Sequence, residues 1–216
     1  MRGKAGEVFS IVLENPPVPG CTISMELHGG KNAITVFSLA EGTEISAEIF
    51  PYYKLVLTLS GSLEIFCGKQ CRKVAGGYST LIFPGMMAGF RTEEGVVYME
   101  MFIQKEDIMN KALKEHEVFK LADLVPYQEG RIVNKDIFRN EKMKFAVMAF
   151  DAGTGLSEHA APGDALVFAL EGEAVISYEG KEYSVGAGEN FHFAKGGLHA
   201  VKAEKPFKMG LLLTLE

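Results

Sequence analysis

Short apolar runs alternate with turn residues along most of the chain. Residues 54–59 (Lys-Leu-Val-Leu-Thr-Leu) and 165–170 (Ala-Leu-Val-Phe-Ala-Leu) are typical, and glycine or proline lies close to both ends of each. Runs of this length indicate buried strands more than helices. Because turn signals recur between the runs, as at residues 61–62 (Gly-Ser) and 186–188 (Gly-Ala-Gly), the pattern predicts an all-β sandwich or barrel.

One stretch near the middle of the chain has a different pattern. Residues 105–120 contain good helix formers and neither glycine nor proline. Ile108, Ala112 and Glu115 fall near one face of a helical wheel. The spacing predicts a short helix around residues 105–115, and its central position makes it a candidate link between two domains.

The two halves of the chain resemble each other. Residues 42–61 can be laid on residues 153–172 without a gap, with identical glycines at both ends and identical Thr, Ser, Pro, Val and Leu positions between them. Such self-similarity indicates two units built alike. The sequence therefore predicts a first domain over residues 1–104, a helical linker over 105–128 and a second domain over 129–216.

Composition and charge exclude several classes of partner. The chain has 216 residues, 47% of them hydrophobic and 23% charged, which is enough apolar material for packed cores. The net charge is −6 and no basic patch stands out, so we expect no nucleic-acid partner. The start of the chain lacks the apolar core of a signal peptide, and no apolar run approaches the roughly 20 residues of a membrane span. We therefore expect a cytoplasmic protein with no membrane partner.

The second half resembles the cupin superfamily. The first cupin motif normally reads Gly, five residues, His-x-His, three or four residues, Glu, six residues and Gly. The second reads Gly, five residues, Pro-x-Gly, two residues, His, three residues and Asn. The resemblance covers residues 130–216 well and 30–103 more weakly, and it implies two tandem cupin-type jelly-roll barrels, a bicupin. In this sequence the two motifs fall on Gly153, His159, Ala161, Ala165 and Gly172, and on Gly188, Ala194, Gly196 and His199.

The resemblance also implies a candidate metal site in the second barrel. Cupin metals such as Fe, Mn, Ni or Zn are held by three histidines and a glutamate, and this sequence keeps only the first ligand, His159, and the last, His199. Two imidazoles are a poor cage, because iron and zinc sites commonly use three protein ligands or more. His192 is the best candidate for a third nitrogen. The turn between His192 and His199 breaks the strand alternation, so the sequence does not show whether the two side chains point to the same face. Asp164 is a weaker candidate that needs a bulge in the preceding strand.

The corresponding motif of the first half has no histidine. Glu48, Phe50 and Lys54 take the positions of His159, Ala161 and Ala165. Aromatic residues crowd the same region, so we expect a filled or apolar barrel. Packing, dimerisation or support of the second barrel are the roles predicted for it. Core packing is the commoner use of such aromatics, and a hydrophobic ligand is the alternative.

Two functions follow from the resemblance, and the sequence leaves both open. In the first, a divalent metal on His159 and His199 acts on a small organic molecule, as in cupin dioxygenases, isomerases and decarboxylases. In the second, the barrel binds or senses a small molecule without metal or catalysis, and the histidines are ordinary polar groups of a vestigial pocket. Cupins often pair through sheet edges, which implies a homodimer, although two tandem barrels satisfy that contact within one chain.

Overall fold

A computed structural model describes residues 4–67, 70–114 and 117–215. Strands make up most of this structure, and they form two tandem jelly-roll barrels, as the sequence pattern predicts. None of the helices in the described ranges has the length or apolar character needed to span a bilayer.

The first barrel is built around one long strand. β5 pairs with β7 and β9 along its first part and with β6 and β8 along its second part, so it joins both faces of the barrel. The larger face has the strand order β7-β5-β9-β3-β2, and β11 (Val118–Phe119) pairs with β7 at its edge. On the other face, β4 pairs with β8. The elements of this half are β1 (Val8–Phe9), α1 (Ile11–Glu14), β2 (Thr22–His28), β3 (Ile34–Leu39), β4 (Glu44–Ile49), β5 (Tyr53–Cys67), β6 (Gln70–Ala75), β7 (Ser79–Ile82), β8 (Met87–Arg91) and β9 (Val96–Ile103).

The second barrel has the same plan in two sheets. A seven-stranded sheet has the order β1-β18-β15-β20-β13-β12-β10, and a four-stranded sheet has the order β14-β19-β16-β17. The elements of the second half of the chain are β10 (Ile108–Met109), β11 (Val118–Phe119), a 3-10 turn (Leu121–Leu124), β12 (Ile132–Arg139), β13 (Met143–Phe150), β14 (Thr154–Ala160), β15 (Asp164–Glu171), β16 (Glu173–Tyr178), β17 (Lys181–Gly186), β18 (Asn190–Phe193), β19 (Leu198–Ala203) and β20 (Phe207–Thr214).

The helix predicted around residues 105–115 is absent from the described part of that range, residues 105–114. The chain forms strand β10 there and pairs with β12 through Ile108 and Arg139. The backbone and side-chain amides of Asn110 both donate to carbonyls of β12, at 2.8 Å each. Pairing with a neighbouring strand therefore outweighs the local helix preference, which is a weak determinant by itself. The one helical turn described between residues 105 and 128 is the 3-10 turn.

Short strands cross between the two barrels. β1, from the start of the chain, pairs with β18 of the second barrel through Val8 and Phe191. β11, from the segment between the barrels, pairs with β7 of the first barrel through Val118 and Thr80. The two barrels are thus tied together by backbone hydrogen bonds as well as by side-chain packing.

Three apolar clusters hold the structure together, one inside each barrel and one between the barrels. Side chains alternate along each strand, so the large sheets present one face to their own barrel and the other to the partner barrel. In β15, Leu166 and Phe168 face the partner barrel, whereas Val167 and Ala169 face the interior. Burial of both faces explains why β5 and β15 read as nearly continuous apolar runs.

Replacing Ile11 with alanine should destabilise the fold. Its side chain is 2% exposed and belongs to the cluster between the barrels, so its truncation should lower the free energy of unfolding by about 2–5 kcal/mol. Leu13 in the same helix is 80% exposed, which makes Leu13→Ala the matched control with little expected effect. Denaturant unfolding measures both variants. Equal losses in the two variants would contradict the packing described for α1.

Candidate functional site

Two histidines meet at the mouth of the second barrel. β14 and β19 are neighbours in the four-stranded sheet, and their register sets His159 directly opposite His199. The ring centroids are 4.2 Å apart and the ring planes are inclined by 51°. His199 is buried, whereas His159 is exposed. The pair therefore lies where the barrel interior meets solvent.

Backbone carbonyls orient both imidazoles in the same way. Nδ1 of His159 lies 2.8 Å from the carbonyl oxygen of Ser157, and Nδ1 of His199 lies 3.1 Å from that of Gly197. A carbonyl oxygen only accepts hydrogen bonds, so each Nδ1 carries the hydrogen. In the neutral rings each Nε2 is then an acceptor with a lone pair for a ligand or a metal ion.

The walls beside the pair are aromatic and small. Phe193 stacks on His199, with ring centroids 4.0 Å apart and an angle of 26° between the planes. Tyr178 faces His199 across the β16–β19 pairing. Ala161 and Ala165, which occupy the positions of the two missing cupin ligands, are both buried in the apolar cluster inside this barrel. The surroundings of the two imidazoles are therefore largely apolar.

The environment keeps His199 neutral. Burial lowers the pKa of His199 below its ordinary value of 6.5, and the neighbouring His159 ring lowers it further by charge repulsion. The hydrogen bond to Gly197 acts in the opposite direction and is outweighed. The His199 ring is thus uncharged near neutral pH, and its Nε2 is an acceptor.

His192 and Asp164 do not join the pair. His192 lies opposite Leu166 in the β15–β18 pairing, and Leu166 belongs to the cluster between the barrels. The side chain of His192 is therefore on the opposite sheet face from its neighbour Phe193, which contacts His199. Asp164 shares the outer face with Leu166, and its Oδ1 accepts a hydrogen bond from the backbone nitrogen of Lys195 at 2.9 Å.

The donor set falls short of a resident metal site. Across the described residues, no three histidine, cysteine, aspartate or glutamate side chains cluster in a way that could hold a metal ion. At the barrel mouth the protein supplies two nitrogens, where catalytic zinc and non-haem iron usually take three protein ligands. The residues present therefore do not by themselves fit the metal centre that the superfamily resemblance implies.

The first barrel contains a buried ion pair that sequence reasoning missed. Lys54 and Glu100 are 4% and 2% exposed, and their Nζ and Oε2 atoms are 2.7 Å apart. Nζ also lies 3.5 Å from the centroid of the Phe50 ring, with Phe90 and Phe102 farther out at 5.2 and 5.4 Å. The sequence did carry a signal for their burial. Lys54 and Glu100 each interrupt an apolar strand, and side chains two residues apart in a strand share one sheet face, so both charges fall on the interior face.

This ion pair fills the place that a ligand would take in the first barrel. Lys54 is the counterpart of Ala165, so a lysine ammonium projects where the second barrel has only a methyl group. Burial raises the pKa of Glu100, and Lys54 counteracts that effect. The interior of the first barrel is filled, as expected, but it contains a charged pair as well as apolar side chains.

Fold and site together define a class: a protein of two jelly-roll barrels whose second barrel carries a histidine pair at its mouth. The sequence profile of the Cupin domain matches residues 146–214, which span most of that second barrel. The second barrel therefore matches the Cupin domain, which supports the resemblance of the chain to the cupin superfamily.

Solved structures share this architecture. A Cupin 2 conserved barrel domain protein from Leptotrichia buccalis is 28% identical, covers 99% of this chain and 98% of its own, and superposes with a TM-score of 0.85. A variant of salicylate 1,2-dioxygenase from Pseudoaminobacter salicylatoxidans is 9% identical over 88% of this chain and 75% of its own, with a TM-score of 0.60. A variant of oxalate decarboxylase from Bacillus subtilis is 11% identical over 99% and 78%, with a TM-score of 0.54. At such low identity, the two enzymes share the fold alone.

No curated protein has a sequence that matches the chain significantly. The activity must therefore be argued from the site itself, because a shared fold does not fix a function.

Acidification should destabilise the protein through His199. The pKa of His199 is lower in the folded state, so the unfolded state binds more protons once the pH falls below about 6.5, and the free energy of unfolding decreases as the pH falls further. Urea unfolding between about pH 7.5 and 5 should show a flatter dependence for His199→Gln than for the parent protein. His28→Gln, at the end of β2, is the control. An unchanged slope in His199→Gln would contradict the proposed cause.

Proposed function

We propose that the second barrel binds a small hydroxyl-bearing organic molecule through His159 and His199, without a resident metal. One observation carries the proposal: two acceptor imidazoles face each other, while the other two ligand positions of the superfamily hold alanine. The alanines take up little space and add no charge. A hydroxyl group donates a hydrogen bond, which is what a neutral Nε2 accepts.

The surroundings of the pair favour a ligand that is apolar apart from its hydroxyl. Phe193 and Tyr178 offer ring faces, and Ala161 and Ala165 offer methyl groups. Small-molecule sites commonly combine such apolar walls with a few placed polar groups. In this reading the protein binds or senses its ligand, and the first barrel supports the second.

A divalent metal is the second candidate, and the orientation of the rings favours it. Metal-binding histidines usually donate from the second ring nitrogen to a carbonyl or carboxylate, as His159 and His199 do through Nδ1. Their Nε2 atoms would hold Fe, Mn, Ni or Zn, with water and an organic ligand completing the shell. Such a metal would supply Lewis-acid chemistry.

Metal analysis and ligand titration separate these two functions. Untagged protein, purified without chelators, should carry far less than one metal ion per chain. Phenol, catechol and glycerol serve as hydroxylated probes, and at least one should shift the imidazole NMR signals of His159 and His199. His159→Ala and His199→Ala should abolish that binding, because each removes an acceptor, whereas His28→Ala should retain it. Stoichiometric metal that disappears in His199→Ala would overturn the proposal in favour of the metal site.

A further inference from the structure

We propose that a cavity between the two barrels is a second binding site, for a small carboxylate with an apolar body. The cavity has a volume of about 290 Å³, close to the lower end of the usual range for small-molecule pockets. Strands β5, β7, β15 and β18 line it together with α1 and the 3-10 turn. It lies on the outer faces of the large sheets, apart from the barrel interior that contains the histidine pair.

The floor of the cavity is apolar. Ile11, Leu57, Leu121 and Phe168 line it, and all four belong to the cluster between the barrels. They come from α1, β5, the 3-10 turn and β15, so both barrels and both covering segments contribute. A ring or short alkyl chain placed here would bury apolar surface, which favours binding.

A buried hydroxyl faces the same cavity. Ser79 lines it, is 2% exposed and pairs with Leu57 across β7 and β5, so the two side chains share a sheet face. The Ser79 hydroxyl is a hydrogen-bond donor and acceptor at the cavity wall. Asn190, its counterpart in the second barrel, is engaged, because it accepts from the Ile11 nitrogen at 3.1 Å and donates to the Val167 carbonyl at 3.2 Å. The Ser79 hydroxyl can therefore donate a hydrogen bond to a ligand oxygen that enters the cavity.

Lys120 places a positive charge at the edge of the cavity. Lys120 lines the cavity and is exposed. Its Nζ lies 5.1 Å from the centroid of the Tyr78 ring, and it forms no ion pair with any residue that the structure describes. A free ammonium beside an apolar floor is a complement for an anionic head group.

The two acidic residues of the lining already have partners. Oε2 of Glu171 lies 3.3 Å from Nζ of Lys208 and accepts a hydrogen bond from the Tyr127 hydroxyl at 3.3 Å. Oε2 of Glu189 accepts from the backbone nitrogen of Gly186 at 2.8 Å. These bonds hold negative charge at the rim of the cavity, while Lys120 and Ser79 remain to bind a carboxylate. A monocarboxylate with a ring or short chain matches this set of groups.

Titration with hexanoate and benzoate, followed by protein NMR, tests this site. We expect saturable binding of at least one of them, with shifts of the backbone signals of Ser79, Leu121 and Asn190. The neutral analogues hexanol and benzyl alcohol should bind more weakly. Lys120→Met should weaken carboxylate binding by roughly fivefold or more, because a charge-assisted contact is lost.

Two controls make the test specific. Lys181→Met removes an exposed lysine of β17 and should leave the affinity unchanged, as should His199→Ala in the other site. Lys120 is exposed, so its replacement does not threaten folding. Absence of saturable binding, or an unchanged affinity in Lys120→Met, would overturn the proposal. Loss of binding in His199→Ala alone would also overturn it, by assigning the carboxylate to the second barrel.

Discussion

The register of β14 against β19 is the constraint on which the candidate site depends. It sets His159 opposite His199 and turns both side chains to the same face of the sheet, at the mouth of the barrel. Side chains alternate along a strand, so a slip of one residue would send a histidine to the outer face. The carbonyls of Ser157 and Gly197 then fix each ring through Nδ1. Register and backbone together bring the two imidazoles side by side, each with Nδ1 bonded to a carbonyl and Nε2 left as the acceptor.

The same alternation explains what the second barrel lacks. The interior positions that would complete a superfamily metal site are Ala161 and Ala165, and the nearby polar side chains of His192 and Asp164 lie on the outer face. The first barrel differs from the superfamily site in another way, because it gains a charged side chain inside the barrel. At the counterpart of Ala165 it places Lys54, which pairs with Glu100 inside the barrel. One barrel is left with small apolar groups, and the other is filled by its own charged pair.

Much of this structure could be predicted from sequence patterns that report local geometry. Short apolar runs predicted the strands, self-similarity predicted two alike units, and the superfamily motif predicted that His159 and His199 meet. The parts that could not be predicted depend on tertiary contacts. The segment predicted as a helix pairs with β12 instead, and Asn110 donates a hydrogen bond to that strand. The turn after His192 breaks the strand alternation, so the sequence does not show which sheet face the His192 side chain occupies. Lys54 and Glu100 each stand out as a charge within an apolar strand, but their pairing joins residues far apart in the chain and depends on the tertiary fold.

Restoring the two missing donors tests most directly whether the number of donors limits metal binding by the second barrel. Ala161→His with Ala165→Glu returns one nitrogen and one carboxylate to the interior, while Ala160→His with Ala200→Glu adds the same groups on the outer face. The account predicts that zinc titration by calorimetry gives one tight site in the interior variant alone, at least about tenfold tighter than in the parent protein, because the site then has the ligand number that zinc requires. Equally tight zinc binding by the parent protein would contradict the account.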